Sequence, residues 1–203
     1  MTYFITGIGT EIGKTVSSAI VVEALEADYW KPIQAGELEY SDSQKVKDLI
    51  SNTKSQFHAE SYRLKLPTSP HAAAQKESIC IELSKCQLPK TTNALVVEGA
   101  GGLLVPLNDK DCIIDLIKIL NIEVILISQH YLGSINHTLL SIEALKNRNI
   151  PIKGILFNGE ENKDTEHIIL SKSGLVSLGR IPQMKTVNKA AIKEVAEQLK
   201  GAF

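Results

Sequence analysis

A Gly-Lys-Thr triplet at residues 13–15, set between a short apolar run and an amphipathic one, constrains this chain more than any other feature. Ahead of it, Tyr3-Phe4-Ile5-Thr6 reads as a strand buried on both faces; behind it, Val16, Ala19, Ile20, Glu23 and Ala24 keep helical spacing. The link, Gly7-Ile8-Gly9-Thr10-Glu11-Ile12, ends at Gly13. A turn that opens directly into a helix gathers unpaired N–H groups, the positive end of a helix dipole and an ammonium in one place, which is what a polyphosphate requires. Lys14 is placed to reach the terminal phosphates and Thr15 to ligate Mg²⁺. The pattern departs from G-x-x-x-x-G-K-[ST] at one position: Ile8 stands where the first glycine belongs, with Gly7 and Gly9 on either side.

Further apolar runs at Ala94–Val97, Val124–Ile127 and Ile152–Phe157 are too short for helices and rich in branched residues, as doubly buried strands are. Between them the spacing predicts helices over Val16–Leu25, Ser43–Ile50, Ile113–Leu120, Asn136–Lys146 and Val187–Leu199. Strand and helix in alternation give an α/β fold, a mostly parallel central sheet with helices on both faces, whose ligands bind at the carboxyl ends of the strands. At 203 residues the chain is expected to form a single domain, 1–203, of P-loop NTPase type.

Charge excludes some partners. With 22 Lys+Arg against 23 Asp+Glu, no basic field exists to attract nucleic acid or an anionic membrane. No apolar run approaches the roughly 20 residues of a membrane span, and no leader pattern opens the chain, so a cytoplasmic protein is expected. Cys80, Cys86 and Cys112 stand singly, as reduced thiols do, and the five histidines show no spacing suited to a transition metal.

Four residues outside the loop draw notice. Glu98 ends the strand at Val96-Val97 and opens the glycine-rich Gly99-Ala100-Gly101-Gly102, read as a loop, where it either holds Mg²⁺ or caps the turn. Asn158, before Gly159, either meets a purine edge or takes a left-handed turn. Lys31, between Trp30 and Pro32, lies on a short extended segment and is either solvated or a site charge. Asp42 looks like a helix N-cap, a role that leaves an oxygen free for a cation.

Five blocks in order, Thr6–Thr15, Lys31-Pro32-Ile33-Gln34-Ala35-Gly36, Pro67-Thr68-Ser69-Pro70-His71, Val97–Gly102 and Leu132-Gly133-Ser134-Ile135-Asn136-His137, together with a late Gly179-Arg180-Ile181-Pro182, resemble the dethiobiotin synthetase family. The resemblance implies an ATP-dependent ligase that closes the ureido ring of dethiobiotin from 7,8-diaminopelargonate and CO₂ or bicarbonate, through a carbamate and a carbamic–phosphoric anhydride. It implies Lys14, Lys31 and Thr10 as catalytic residues, and Thr10, Glu11, Ile12, Gly13, Lys14, Thr15, Asn158, Pro182 and Gln183 around the nucleotide. Thr15, Asp42 and Glu98 would hold Mg²⁺, and Lys31, Ala35, Gly133, Ser134, Ile135 and Asn136 would take the diamine substrate. In the family the Gly133–Asn136 turn comes from the neighbouring subunit, which implies a homodimer with the substrate site at its interface. Ala35 departs from relatives that carry a hydroxyl there.

Other readings compete, among them a non-catalytic nucleotide-binding module, which would not need Lys31 or the carboxylate-receiving turn. Regulatory and partitioning ATPases share such a sheet but carry a second lysine shortly before the P-loop lysine, and this loop has none. A small-molecule kinase would close an arginine-bearing lid over the triphosphate, whereas Arg63, Arg148 and Arg180 are scattered.

Overall fold

In the computed structural model, which describes residues 1–203, the continuous apolar runs are strands of one sheet. Along the chain come β1 (Thr2–Gly7), α1 (Lys14–Leu25), β2 (Asp28–Trp30), β3 (Ile33–Ala35), α2 (Asp42–Leu49), β4 (Phe57–His58), β5 (Tyr62–Leu64) and α3 (Pro70–Lys76). Then follow β6 (Leu95–Gly102), α4 (Ile113–Leu120), β7 (Glu123–Gln129), α5 (Ser134–Asn147), β8 (Ile152–Asn158), α6 (Lys163–Ser173), β9 (Ser177–Ile181) and α7 (Lys189–Leu199). Seven strands pair in parallel in the order β4-β2-β6-β1-β7-β8-β9, while β3 and β5 form a separate parallel pair. The chain proceeds to one side of β1 and, after β6, crosses to the other. The crevice outside the end of β1 is therefore the switch point where such sheets bind ligands.

Alternation along each strand divides the core. Tyr3, Ile5, Val96, Ile125 and Leu156 face α1 and α7, whereas Phe4, Val97 and Val124 face α4 and the end of α5 at Leu145. Leu126, Ile155 and Phe157 pack against Ile142 of α5 and Ile169 of α6. Covered on both faces, these strands need apolar residues at every position, which is why they read as continuous runs. Helix α1 is enclosed on most sides, with Ile20, Val21 and Val22 fully buried, each worth about 1.5–3 kcal/mol of transfer free energy. Its weak amphipathicity follows from that enclosure.

Five helices lie where spacing predicts them, with ends shifted by a few residues. Others escape a periodicity reading: β2, β3, β4 and β5 are two or three residues long, and α6 is polar over most of its length. Glu98–Gly102 is a correction, because the segment read as a loop is the continuation of β6. Its pairing with β1 is irregular, Ile5 opposing Glu98 and Gly7 opposing Gly102, so the strand bulges just beyond Glu98. All three cysteines are free thiols; Cys86 is buried in the core and Cys80 is exposed.

Candidate active site

The loop between β1 and α1 is built by its backbone. Gly13 precedes the helix at φ 86°, and a Cβ there would come within 2.3 Å of the Asn158 amide nitrogen. Only glycine meets both conditions. Asn158, at the end of β8, donates to the carbonyl of Ile12 over 2.9 Å and ties the loop to a strand two places from β1 in the sheet. Asn158 itself is not left-handed; Gly159 takes that conformation at φ 99°, so the turn reading of Asn158 is corrected. Ile8 has no positive φ and packs against the core, which explains why the missing first glycine is tolerated.

Beside the loop opens a cleft of about 740 Å³ lined by Thr10, Glu11, Gly13, Lys14, Thr15, Lys31, Ala35, Asp42 and Glu98, among others. Lys14 folds back so that its Nζ donates to the carbonyl of Gly9 over 2.9 Å. Burial, opposed by the Glu98 carboxylate and reinforced by the Lys31 charge, lowers its ammonium to about 8. Such a lysine gains when polyphosphate oxygens replace the single carbonyl.

Lys31 is the opposite case. It is 5% exposed, and its Nζ sits 2.9 Å from Glu98 Oε1 and 2.7 Å from Asp42 Oδ2, which corrects the solvated reading. Burial presses its pKa down, but the two carboxylates outweigh burial and raise it, so Lys31 stays charged. Burial likewise pushes Asp42 upward, yet Lys31 and then Lys45, 3.2 Å from its Oδ1, hold it below the ordinary range. Asp42 is not the N-cap: Ser41 is, its hydroxyl accepting from the Gln44 N–H, because the Asp42 carboxylate is drawn to the two lysines. Glu98 is 1% exposed; its Oε1 also accepts from Thr15 Oγ1 over 3.0 Å, and its Oε2 from the Tyr29 hydroxyl over 2.9 Å. Burial and then Glu98 push the Tyr29 phenol well above its usual value, so it remains a donor. Thr15, Asp42 and Glu98 thus converge as oxygen donors around an ammonium, a set suited to a hard cation such as Mg²⁺.

Not every expected residue meets in this cleft. Asn158 lies across the loop, and Pro182 and Gln183 follow Ile181, the partner of Asn158 on β9, so these three gather at one end of the sheet. Gly133 caps α5 at φ 101°, and Ser134, Ile135 and Asn136 open that helix outside the cleft lining. Ile12 is 3% exposed and contributes backbone. Sequence reasoning gave no role to Tyr29, Gln34, Glu37, Lys45 or Thr68. Gln34 is buried, accepting from the Asp42 N–H over 3.3 Å and donating to the carbonyl of Gly36 over 3.0 Å. A polar residue inside the Ile33–Ala35 block was the available signal.

A phosphate-binding loop at the switch point of a parallel sheet, facing oxygen donors across a cleft, defines the class of P-loop NTPase-like proteins. Solved structures share the fold: a ParA family ATPase from Chlorobium tepidum (TM-score 0.60, 11% identity, 96% of each chain) and MinD from Pyrococcus horikoshii complexed with Mg-ADP (TM-score 0.58, 13% identity, 98% of this chain and 96% of that one). A family model described as an AAA domain matches residues 1–191. Proteins described as ATP-dependent dethiobiotin synthetase BioD are 55% identical in Christiangramia forsetii (98% of this chain, 95% of the relative) and 50% identical in Cytophaga hutchinsonii (97% and 96%). The chain belongs to the dethiobiotin synthetase family.

Proposed function

We propose that this protein is an ATP-dependent ligase that converts 7,8-diaminopelargonate and CO₂ or bicarbonate to dethiobiotin, releasing ADP and phosphate. The 55% identity to a dethiobiotin synthetase over nearly the whole chain carries the reading. The nucleotide-switch alternative has only a shared fold in its favour, at 11–13% identity.

One amine of the substrate adds to CO₂ and loses a proton, giving a carbamate. A carbamate oxygen then attacks the γ-phosphorus as the bond to ADP breaks. The second amine attacks the carbonyl carbon of the resulting anhydride, and phosphate leaves as the ring closes. In the transfer step an anion approaches an anion, so fixed positive charge between them lowers the barrier. Lys14 leaves the Gly9 carbonyl for the β- and γ-phosphates, and Lys31 steadies the carbamate and the moving phosphoryl group; the presence of both lysines in the lining of one cleft supports this. Thr15, Asp42 and Glu98 are the residues that would hold Mg²⁺, which neutralises phosphate charge when bound. Thr10 donates to the substrate, Glu11 orders the loop, and Ala35 lines the substrate side.

Asn158, Pro182 and Gln183 border the nucleobase. The turn of Gly133, Ser134, Ile135 and Asn136 receives the substrate carboxylate from the partner subunit of a homodimer; its position at the start of a 14-residue helix supports the anion role. Residues 1–203 act as one domain, and the enzyme is cytoplasmic, in keeping with the lack of any helix long and apolar enough to cross a membrane. Phosphate release with MgATP, bicarbonate and 7,8-diaminopelargonate, each omitted in turn, tests the reading. Release that needs all three, with dethiobiotin detected by mass spectrometry, supports it; release without the diamine overturns it.

A further inference from the structure

Glu98 has two carboxylate oxygens with different duties. Oε1 faces the cleft and accepts from Thr15 Oγ1 and Lys31 Nζ, at 3.0 and 2.9 Å. Oε2 accepts from a single group, the Tyr29 hydroxyl at 2.9 Å. The terminal torsion of a glutamate is broad, so the groups on one oxygen do not by themselves fix the plane of the carboxylate. Tyr29 can fix it. The residue has no exposed surface, is absent from the cleft lining, and sits in the middle of β2, paired through its backbone with Val96 and Phe57. Its ring rests tilted against that of Phe57, with centroids 5.7 Å apart, and within the core that covers α1. The phenol is therefore held by packing and not by the carboxylate it serves.

We propose that Tyr29 is a positioning residue: it pins Oε2 of Glu98 from inside the core and so presents Oε1 to the cation-binding edge of the cleft. The proposal rests on the reading of Glu98 as a holder of Mg²⁺. Hydrogen-bond partners behind a metal ligand typically change metal affinity or activity by about 10- to 100-fold when removed.

Calorimetric titration of ADP into the wild type, Tyr29→Phe and Glu98→Gln, once with Mg²⁺ and once with EDTA, tests it. Tyr29→Phe keeps the ring. It is expected to bind ADP in EDTA within about twofold of the wild type but to lose about tenfold of the affinity that Mg²⁺ adds. A full Mg²⁺ gain in Tyr29→Phe, with the gain lost in Glu98→Gln, overturns the role of Tyr29 and leaves Glu98 in place. A full gain in both variants overturns the metal reading of Glu98 and the proposal with it. Equal weakening in Mg²⁺ and EDTA marks a general structural residue and also overturns the proposal. If Tyr29→Phe does not fold, Phe57→Leu, which loosens the seat of the ring while keeping the phenol, is expected to show a smaller Mg²⁺-specific loss; an unchanged Mg²⁺ gain there overturns the proposal.

Discussion

Lys14 is a liability in the free protein. Its ammonium, at about 8 when folded, lies below its ordinary 10.5, so the unfolded chain binds more protons between those values and stability rises with pH across that window. Below pH 8 the penalty is fully present, on the order of 3 kcal/mol. Lys14→Met, which keeps the stem and removes the charge, is expected to gain about 1–3 kcal/mol in urea unfolding at pH 7, to flatten the rise above pH 8, and to lose nearly all turnover. A variant less stable than wild type at pH 7 contradicts the account. Lys31 is its counterpart, stabilising the buried Glu98 and the half-buried Asp42. Lys31→Ala is expected to lower kcat by about 10²–10³ with little change in the KM for ATP, and to melt earlier without nucleotide. Because Glu98 then lacks a cation and Asp42 keeps only Lys45, added Mg²⁺ should raise its Tm more than that of the wild type, and equal shifts would argue against the shared oxygen site. The chemistry of these lysines was legible from the motif blocks, but their opposite pKa shifts were not, since both depend on neighbours 11 to 84 residues away in sequence.

At the scale of elements, the cleft is framed by short pieces with little periodicity. β3 and β5 bring Gln34 and Ala35 beside Pro67, and Gly36 closes the frame: its N–H donates to the Leu64 carbonyl over 2.8 Å, at φ 75°. A Cβ on Gly36 would lie 2.6 Å from the Pro67 Cα, which is backbone and cannot rotate away. Gly36→Ala is therefore expected to cost about 1–3 kcal/mol by denaturant unfolding and to raise the substrate KM, and a stability equal to wild type would show that the frame yields. The long strands were readable because burial on both faces leaves continuous apolar runs, and the helices α1, α2, α4, α5 and α7 because their apolar residues recur at helical spacing. β2 to β5 were not, because two or three residues cannot display either pattern. The bulge after Glu98 was hidden for another reason: Gly99–Gly102 has the composition of a loop, and only pairing with β1 makes it a strand.

For the whole molecule, the α5 start and the Leu103–Pro106 segment carry Leu104, Tyr131, Leu132, Ile135 and Leu140 exposed on the surface of one chain. A second copy of the chain is the proposed cover, and the carboxylate-receiving turn lies at the same end of α5. Leu140→Asp is expected to shift the protein to monomer in sedimentation velocity and to raise the KM for the diamine at least tenfold while leaving ADP affinity near wild type. A monomer with unchanged KM would place the carboxylate elsewhere. By itself the sequence determined the fold class, the phosphate loop and the family, because a Gly-Lys-Thr turn and doubly buried strands are local patterns that chain neighbours suffice to write. Only the tertiary structure decided that Lys31 is buried between Asp42 and Glu98, that Ser41 and not Asp42 caps α2, that Asn158 holds the loop, and that Tyr29 backs Glu98. Apart from the local Ser41 cap, those facts join residues far apart in the chain, and their physical content, desolvation and opposed charge across a cleft, exists only once the strands are side by side.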